Sequence, residues 1–542
     1  MPIFNEREFP LLPSEEQRQR LLLMREAAAV SPSRKQNLHA TINDLPDELV
    51  VEILGYLSDA ETSKKKILNA LSLACTSRRF YRIAIAEAYA LFDPRDCNAY
   101  LFLRTMISNP QLAALVQHVK RVTRSDYSNP RYKPTAQDKR VIKKAVQALG
   151  IRYWKRWVDR CNNDVLSYEV LTGIILLYLP NLQTISYIGC DRSKWVANAP
   201  DWSFMMNEAL RCENGKIHGF ENLHTITVHA LDLQLFDLAP LFRFQSLRVL
   251  RLIEISEFHS FSQGMDNAKR LRGMIDRREN NIETLSLNRC FYTQDCLGLL
   301  VSSSRRLKAF EYAISVAMLP WFNGSRVAIL RKLVKILRPH QTSLETLTIY
   351  CETEIERKRL DPLYNHSGLT EFTSLKALSC PLGTLVAEYG KEFASVLPSS
   401  LETFQTRIRH DRDDRKHLHS LKHLLAGRAT HISKLREVRV FLISADDKLR
   451  KTRLWKHLTE LAREAGIRFD YEILEDYSWY GDSDDEDMWS SSDELDIDSE
   501  ESNDESDDDS EEDDYGSDEF KDYENFGGID GYGQAEYGQD DG

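Results

Sequence analysis

Nine short stretches of this chain share the form L-x-x-L-x-L, and that pattern limits the fold more than any other feature. The clear copies are LQTISYIGC (182–190), LHTITVHAL (223–231), LRVLRLIEI (247–255), IETLSLNRC (282–290), LKAFEYAIS (307–315) and LETLTIYCE (344–352). Weaker ones are LKALSCPLG (375–383), LETFQTRIR (401–409) and LREVRVFLI (435–443). Alternation over the central residues marks a short strand with one face buried. Helical-looking stretches such as VLTGIILLYLPN precede the copies. A short strand and a helix cannot cover their own apolar edges, so the units must stack on one another into a shared core.

This pattern resembles leucine-rich repeats, although the copies begin 41, 24, 35, 25, 37, 31, 26 and 34 residues apart, against the usual ~20–29. Helices of differing length with loop insertions on the convex side are the expected reason. A doubly wound α/β sheet is the competing fold, but its strands would be longer and continuously apolar. The expected architecture is α/β: a flexible leader over 1–39 with one helix near 14–30, a helical unit over 40–92, an irregular repeat solenoid over 93–475 that closes near GIRFDYEIL (466–474), and a disordered tail over 476–542.

Charge supports the last boundary. From Asp482 to Gly542 there are 28 Asp or Glu against one Lys, so this stretch carries −27, and with the chain at −12 the rest carries +15. Such a tail has little to bury and repels itself. Ser483, Ser490, Ser491, Ser502, Ser506 and Ser510 each have an acid three residues on. That spacing resembles the sites of acidophilic, casein kinase II-type enzymes, and each phosphate would add roughly −1.5 to −2. The nine cysteines are scattered without a CxxC pair, which reads as small buried apolar residues in a reducing compartment, cytoplasmic or nuclear. The longest apolar run, residues 170–180, is too short to span a membrane, and no membrane partner is expected.

The segment LPDELVVEILGYL (45–57) forms an apolar helix early in the chain. Pro46 suits the first turn, and Asp47 and Glu48 suit the positive end of the helix dipole. Leu49, Ile53 and Leu57 make a stripe that Val50 and Leu54 widen. A second helix, KKILNALSLACTSRRF, and a third beginning at Ser77 follow. About fifty residues in three helices bury little surface, so the unit suits an apolar partner. Leu45, Pro46, Glu48, Leu49, Ile53, Leu54 and Leu57, followed by Leu73, Cys75, Arg79, Phe80 and Ile83, resemble an F-box over about 42–90. With the repeats behind it, the chain looks like an F-box/leucine-rich-repeat protein of the fungal type. In that family the F-box docks on the Skp adaptor of a cullin–RING (SCF-type) ubiquitin ligase, and the repeats capture a protein substrate. The resemblance implies an adaptor-binding set of Leu45, Pro46, Leu49, Val50, Ile53, Leu54 and Leu57, with Cys75 and Phe80 supporting the trihelical fold or the edge of the interface. The Leu57-to-Cys75 spacing is longer than the family's, which predicts an extended inter-helix loop. The repeat geometry places residues flanking each central apolar position on the concave side, and Arg251, Asn288 and Arg407 stand out there as substrate-contact candidates.

No nucleotide, zinc-protease or hydrolase motif occurs, so no catalytic residue, cofactor or metal ligand is assigned, and the chain reads as a receptor and not an enzyme. The histidines of HDRDDRKHLHSLKH (410–423) alternate with Arg and Lys, which repel a cation, so this run reads as a solvated loop or helix face. The basic runs around RYWKRW (152–157) look dispersed and face competition from the acidic tail, which argues against nucleic acid. A second functional reading is a scaffold or chaperone-like protein outside the ligase, whose acidic tail holds basic partners.

Overall fold

Twelve strands form one sheet, and each strand pairs in parallel with the next in the chain. The strands are β1 (Leu91–Phe92), β2 (His118–Val122), β3 (Thr184–Gly189), β4 (Thr225–Ala230), β5 (Val249–Ile253), β6 (Thr284–Asn288), β7 (Ala309–Ile314), β8 (Thr346–Cys351), β9 (Ala377–Ser379), β10 (Thr403–Arg409), β11 (Glu437–Ile443) and β12 (Arg468–Leu474). The computed structural model describes residues 42–474, apart from 60–62, 95–96, 123–133, 163–167, 190–201, 211–216, 256–266, 315–328, 352–366, 383–392, 410–413, 444–451 and a few positions between. The leader, the serines of the acidic tail and the helix expected near 14–30 lie outside the described residues.

An unbroken sequential order excludes the doubly wound alternative, in which strand order reverses. Parallel neighbours with crossovers of one hand put every connection on the same side of the sheet. Burial agrees: along β4 the residues alternate half-buried and buried from Thr225 to Ala230, so one face is covered and the other open. The covered face packs into one continuous core, including Ile185, Ile226, Leu250, Leu285, Phe310, Leu347, Leu378, Phe404 and Val438. Each of the nine sequence copies supplies one of the strands β3 to β11.

The helices ahead of the repeats are α1 (Asp47–Asp59), α2 (Ser63–Ala74), α3 (Arg78–Ala90) and α4 (Ala99–Ser108). Those of the repeats are α5 (Ala136–Leu149), α6 (Trp154–Asn162), α7 (Tyr168–Leu177), α8 (Gln294–Ser303), α9 (Ile329–Leu337), α10 (Asp414–Ala426) and α11 (Arg453–Glu464). The sequence led us to expect full helices of differing length over the repeats, and this is corrected: some repeats carry 3₁₀ segments instead. Leu235–Arg243, Ser367–Glu371 and Phe393–Val396 are 3₁₀ segments; Pro240 within the first removes a backbone donor that an α-helix would need. The histidine-rich run forms α10, and it is not a wholly solvated face, because His417 is buried.

Two polar ladders fix the register where the chain enters the strands. The residue before each first apolar position is Asn or Ser in most repeats, and its side chain donates to the repeat before it. Asn181 Nδ2 reaches the Ala114 carbonyl at 2.8 Å, Asn281 Nδ2 that of Gln245 at 2.8 Å, Ser246 Oγ that of Phe220 at 2.8 Å, and Ser343 Oγ that of Leu307 at 2.9 Å. Ser374 and Ser400 do the same to Thr342 and Leu375, each at 2.8 Å. A net of about 0.5–1.5 kcal/mol is typical of one such bond.

One step past that apolar position, the residues are Arg248, Glu283, Lys308, Glu345, Lys376, Glu402 and Arg436, so charge alternates across seven successive repeats. Backbone hydrogen bonds of 2.7–2.8 Å join each to the next, from Glu283 N–H to the Arg248 carbonyl through to Arg436 N–H on the Glu402 carbonyl. Lys308 Nζ lies 2.6 Å from Glu283 and Lys376 Nζ lies 2.7 Å from Glu345. The hydrogen bond from Lys376, reinforced by its charge, holds the Glu345 carboxyl below its ordinary range. Each exposed pair contributes little alone, but a slipped register would part the opposite charges. Replacing Glu345 with Lys puts three cations in a row, and we expect a lower thermal midpoint in low salt that recovers as salt screens the repulsion; a salt-independent deficit would mean packing and not charge is disturbed.

His340 ties two repeats from inside. Its Nδ1 accepts from the Leu307 N–H at 3.3 Å and its Nε2 donates to the Val301 carbonyl at 2.9 Å, an arrangement that requires the neutral ring. Burial lowers its pKa. A depressed folded-state pKa means the contribution is present above the unfolded value of about 6.5 and is lost as pH falls through the folded one. Burial lowers His118 and His218 in the same sense. His340→Asn should therefore flatten, without abolishing, the fall in unfolding free energy between about pH 7.5 and about pH 5.5. Denaturant titrations at the two pH values read this directly, and an unchanged slope would exclude His340 as a contributor.

Candidate functional site

Helices α1 to α3 enclose a core of small side chains: Leu54, Ala70, Ala74, Ala84 and Ala88. Ser77 caps α3, its hydroxyl accepting from the Phe80 N–H at 3.1 Å. At the start of α1, Asp47 receives Arg79 Nε at 2.8 Å and Arg82 Nη2 at 2.9 Å, while Arg79 also donates to the Leu45 carbonyl. The hydrogen bond from Arg79 leads the effects that hold the Asp47 carboxyl below its ordinary value. Arg79 thus anchors the entering chain to α3. Lys66 on α2 pairs with Glu87 on α3 at 2.6 Å.

The stripe expected on α1 is two faces. Successive residues sit about 100° apart around a helix, so Val50 and Leu54 turn inward, at 1% and 3% exposure, while Leu49 and Ile53 stay exposed at 43% and 36%. Val50 and Leu54 therefore leave the expected contact surface and belong to the domain's own interior. Phe80 is buried too and supports the trihelical fold. Pro46 is exposed and Leu45 half-buried; Cys75 is exposed. The side chain of Leu57 lies outside the described residues. On α2 the inward face is Ile67, Ala70 and Ala74, with Leu68 exposed. The extended inter-helix loop is also corrected. Only residues 60–62 separate α1 from α2, so the extra length goes into helix, where the lysines are good formers.

Among the described residues, ten large apolar side chains are exposed, and seven fall between Ile42 and Tyr81: Ile42, Leu49, Val51, Ile53, Tyr56, Leu68 and Tyr81. An apolar concentration of this kind marks an interaction surface. Tyr89, near the end of α3, packs against both this small core and that of the repeats, and burial raises its hydroxyl pKa to about 12. α3 then runs directly into β1, the first strand of the sheet.

The open strand face carries the other candidates. Arg251, central on β5, is exposed between Thr227 of β4 and Ser286 of β6. Asn288 ends β6, half-buried. Arg407 lies well apart on β10, its guanidinium 4.3 Å from the centre of the Tyr350 ring. β9 ends at Ser379, so no β9 residue separates them at that level. The three are therefore not one cluster. A group that sequence reading missed lies next to Asn288, whose carbonyl accepts the Glu254 N–H at 2.8 Å. Glu254 Oε2 is 2.8 Å from His229 Nε2, and its Oε1 is 3.1 Å from Arg289 Nη1. Both Glu254 and Arg289 have left-handed backbones, φ 59° and 53°, which break the alternation that would aim them at the core. Burial would raise the Glu254 carboxyl, but His229 and Arg289 together outweigh it and hold it below its ordinary value. No signal in the sequence marks those left-handed positions, because neither residue is Gly or Asn.

Cys97, Cys161, Cys290, Cys296 and Cys380 are buried, and burial pushes the Cys290 thiol up to about 12. Among the described residues no group of His, Cys, Asp and Glu is placed to hold a metal ion, and no helix is long and apolar enough to cross a membrane.

Residues 42–89 match the family model described as F-box-like. The chain thus carries an F-box-like domain in front of a parallel-strand, solenoid-like repeat region. No curated protein matches the chain. Among solved structures, a chain of the crystal structure of the Rad7 and Elc1 complex in yeast is similar at 12% identity with a TM-score of 0.29, covering 79% of this chain and 94% of that one.

Arg79→Ala should free the segment ahead of α1, seen as faster amide exchange over residues 45–50 with little change in the repeats. The Asp47 carboxylate's part in stability is present above its unfolded pKa and lost as pH falls through its depressed folded one, so the difference between wild type and variant should narrow in acid.

Proposed function

We propose that this chain is the substrate-receptor subunit of an SCF-type cullin–RING ubiquitin ligase. The observation that carries the reading is the set of exposed apolar side chains on the F-box-like domain, seven of the ten found among the described residues. Leu49 and Ile53 of α1, with Tyr56 beyond them, form the surface that docks the Skp adaptor, and Pro46 and Cys75 border it. The open strand face takes the protein substrate, with the exposed Arg251 and the neighbouring Asn288 as contacts and Arg407 as a separate one. The subunit itself is not catalytic. It raises rate by positioning a substrate near the ubiquitin-charged enzyme, which is an effective-concentration effect.

Binding of the purified Skp adaptor to the full chain tests this. Ile53→Asp should weaken binding about thirtyfold or more, the scale of a hot-spot residue, and leave the thermal midpoint unchanged because the side chain is exposed. Val50→Asp should instead unfold the three-helix domain, since it buries an unpaired charge. Adaptor should also slow maleimide labelling of Cys75 and leave the labelling of a denatured sample unaffected. Absence of adaptor binding by the wild-type chain would refute the proposal.

A further inference from the structure

Residues 136–162 hold eight Lys or Arg against two Asp. In the sequence these cations look dispersed; the fold places them together. α5 and α6 pack against each other, joined by a turn in which Gly150 takes the left-handed conformation, φ 71°, that ends α5. The apolar sides of both helices face the core through Ile142, Val146, Leu149, Trp157, Val158 and Cys161. On the outer sides Arg140, Lys143, Lys144, Arg152, Lys155 and Arg156 are all exposed. Among the described residues none of the six has an ion-pair partner. One of the two acids, Asp138, is withdrawn from the surface: it is buried, closes the capping box with Thr135 and binds Arg104 at 3.0 Å. Asp159 is the one exposed carboxylate of the pair of helices. Some exposed cations elsewhere are matched, as Arg463 is by Glu460 on α11 and Lys376 by Glu345 on the rim.

Tyr153 adds a second kind of contact. Its side chain is 45% exposed and its backbone is left-handed at φ 59°, a rare state for a bulky residue. The Arg152 guanidinium stands 4.8 Å from its ring centre. An exposed aromatic ring stacked with arginine, inside a field of unpaired cations, is the combination that single-stranded nucleic acid uses: phosphates take the cations and a base stacks on the ring. An acidic peptide would satisfy the charge but has no use for the ring. We propose that the outer face of α5 and α6 binds single-stranded nucleic acid without sequence preference, through its phosphates and a base stacked on Tyr153.

The test is fluorescence anisotropy of a labelled polythymidine strand of about 20 nucleotides titrated with the full chain over a range of salt. Affinity should fall steeply with salt. The double variant Lys143→Gln/Lys144→Gln should lower the slope of log K against log salt by about 1.4, from two lost phosphate contacts at about 0.7 each. Tyr153→Ala should weaken binding to the strand more than to the same length of duplex. Neither substitution reaches the core, so thermal midpoints should hold. No binding at low salt would overturn the proposal, as would binding whose salt slope ignores the double variant. Equal or tighter binding of a polyglutamate peptide, with Tyr153→Ala without effect, would overturn it in favour of an acidic protein partner.

Discussion

A parallel strand of five or six residues can satisfy neither its backbone nor its apolar face alone, and everything in the repeat region follows from that. Each strand needs a neighbour on either edge for its hydrogen bonds and a layer beneath it for its inward side chains. Stacking the copies in chain order answers both needs with one operation. The residue just before and the one just after each leading apolar position then fall into rows of their own, which is where the Asn/Ser donors and the alternating charges come from.

The same operation leaves one face of the sheet open. At the amino end, α3 leads into β1 and Tyr89 joins the two cores, so the three-helix domain is held against the repeats at its last helix. Its interior sets Ala70, Ala74, Ala84 and Ala88 beside Val50, Leu54, Ile67 and Phe80; the alanines pack helices closely but bury little area. So small an interior leaves further large apolar side chains on the outside, and Leu49 and Ile53 are among those α1 presents. Stability and docking therefore draw on different faces of a single helix.

Much of this was legible. The L-x-x-L-x-L copies mark nine strands because burial on one face imposes a period of two that nothing else in the chain imitates. Apolar spacing and the Ser77 cap located the three helices, and the F-box resemblance grouped them into one unit. What escaped was information whose meaning depends on register. The charge alternation from Arg248 to Arg436 is visible in the letters, yet intervals of 25 to 37 residues hide it until strands are aligned. Val50 was grouped with Leu49 because both are apolar neighbours, although a helix turns them apart. The cations of α5 and α6 looked scattered because exposure sorts side chains by face, not by order. Glu254 and Arg289 were illegible for a simpler reason: their left-handed backbones come from the neighbouring repeats, with no residue type to announce them.

The length differences between repeats have a location. Segments that lead into the strands, such as 340–346, 372–377 and 398–403, are short and alike, while the stretches between a strand and the next helical segment range from four residues after β4 to fifteen after β8. Register is therefore held at one rim, and variation is confined to the other. A lineage carrying this architecture can lengthen, shorten or exchange the connections at the variable rim without retuning any strand pairing. The fold behaves like a ruled page, on which the lines stay in place whatever is written between them.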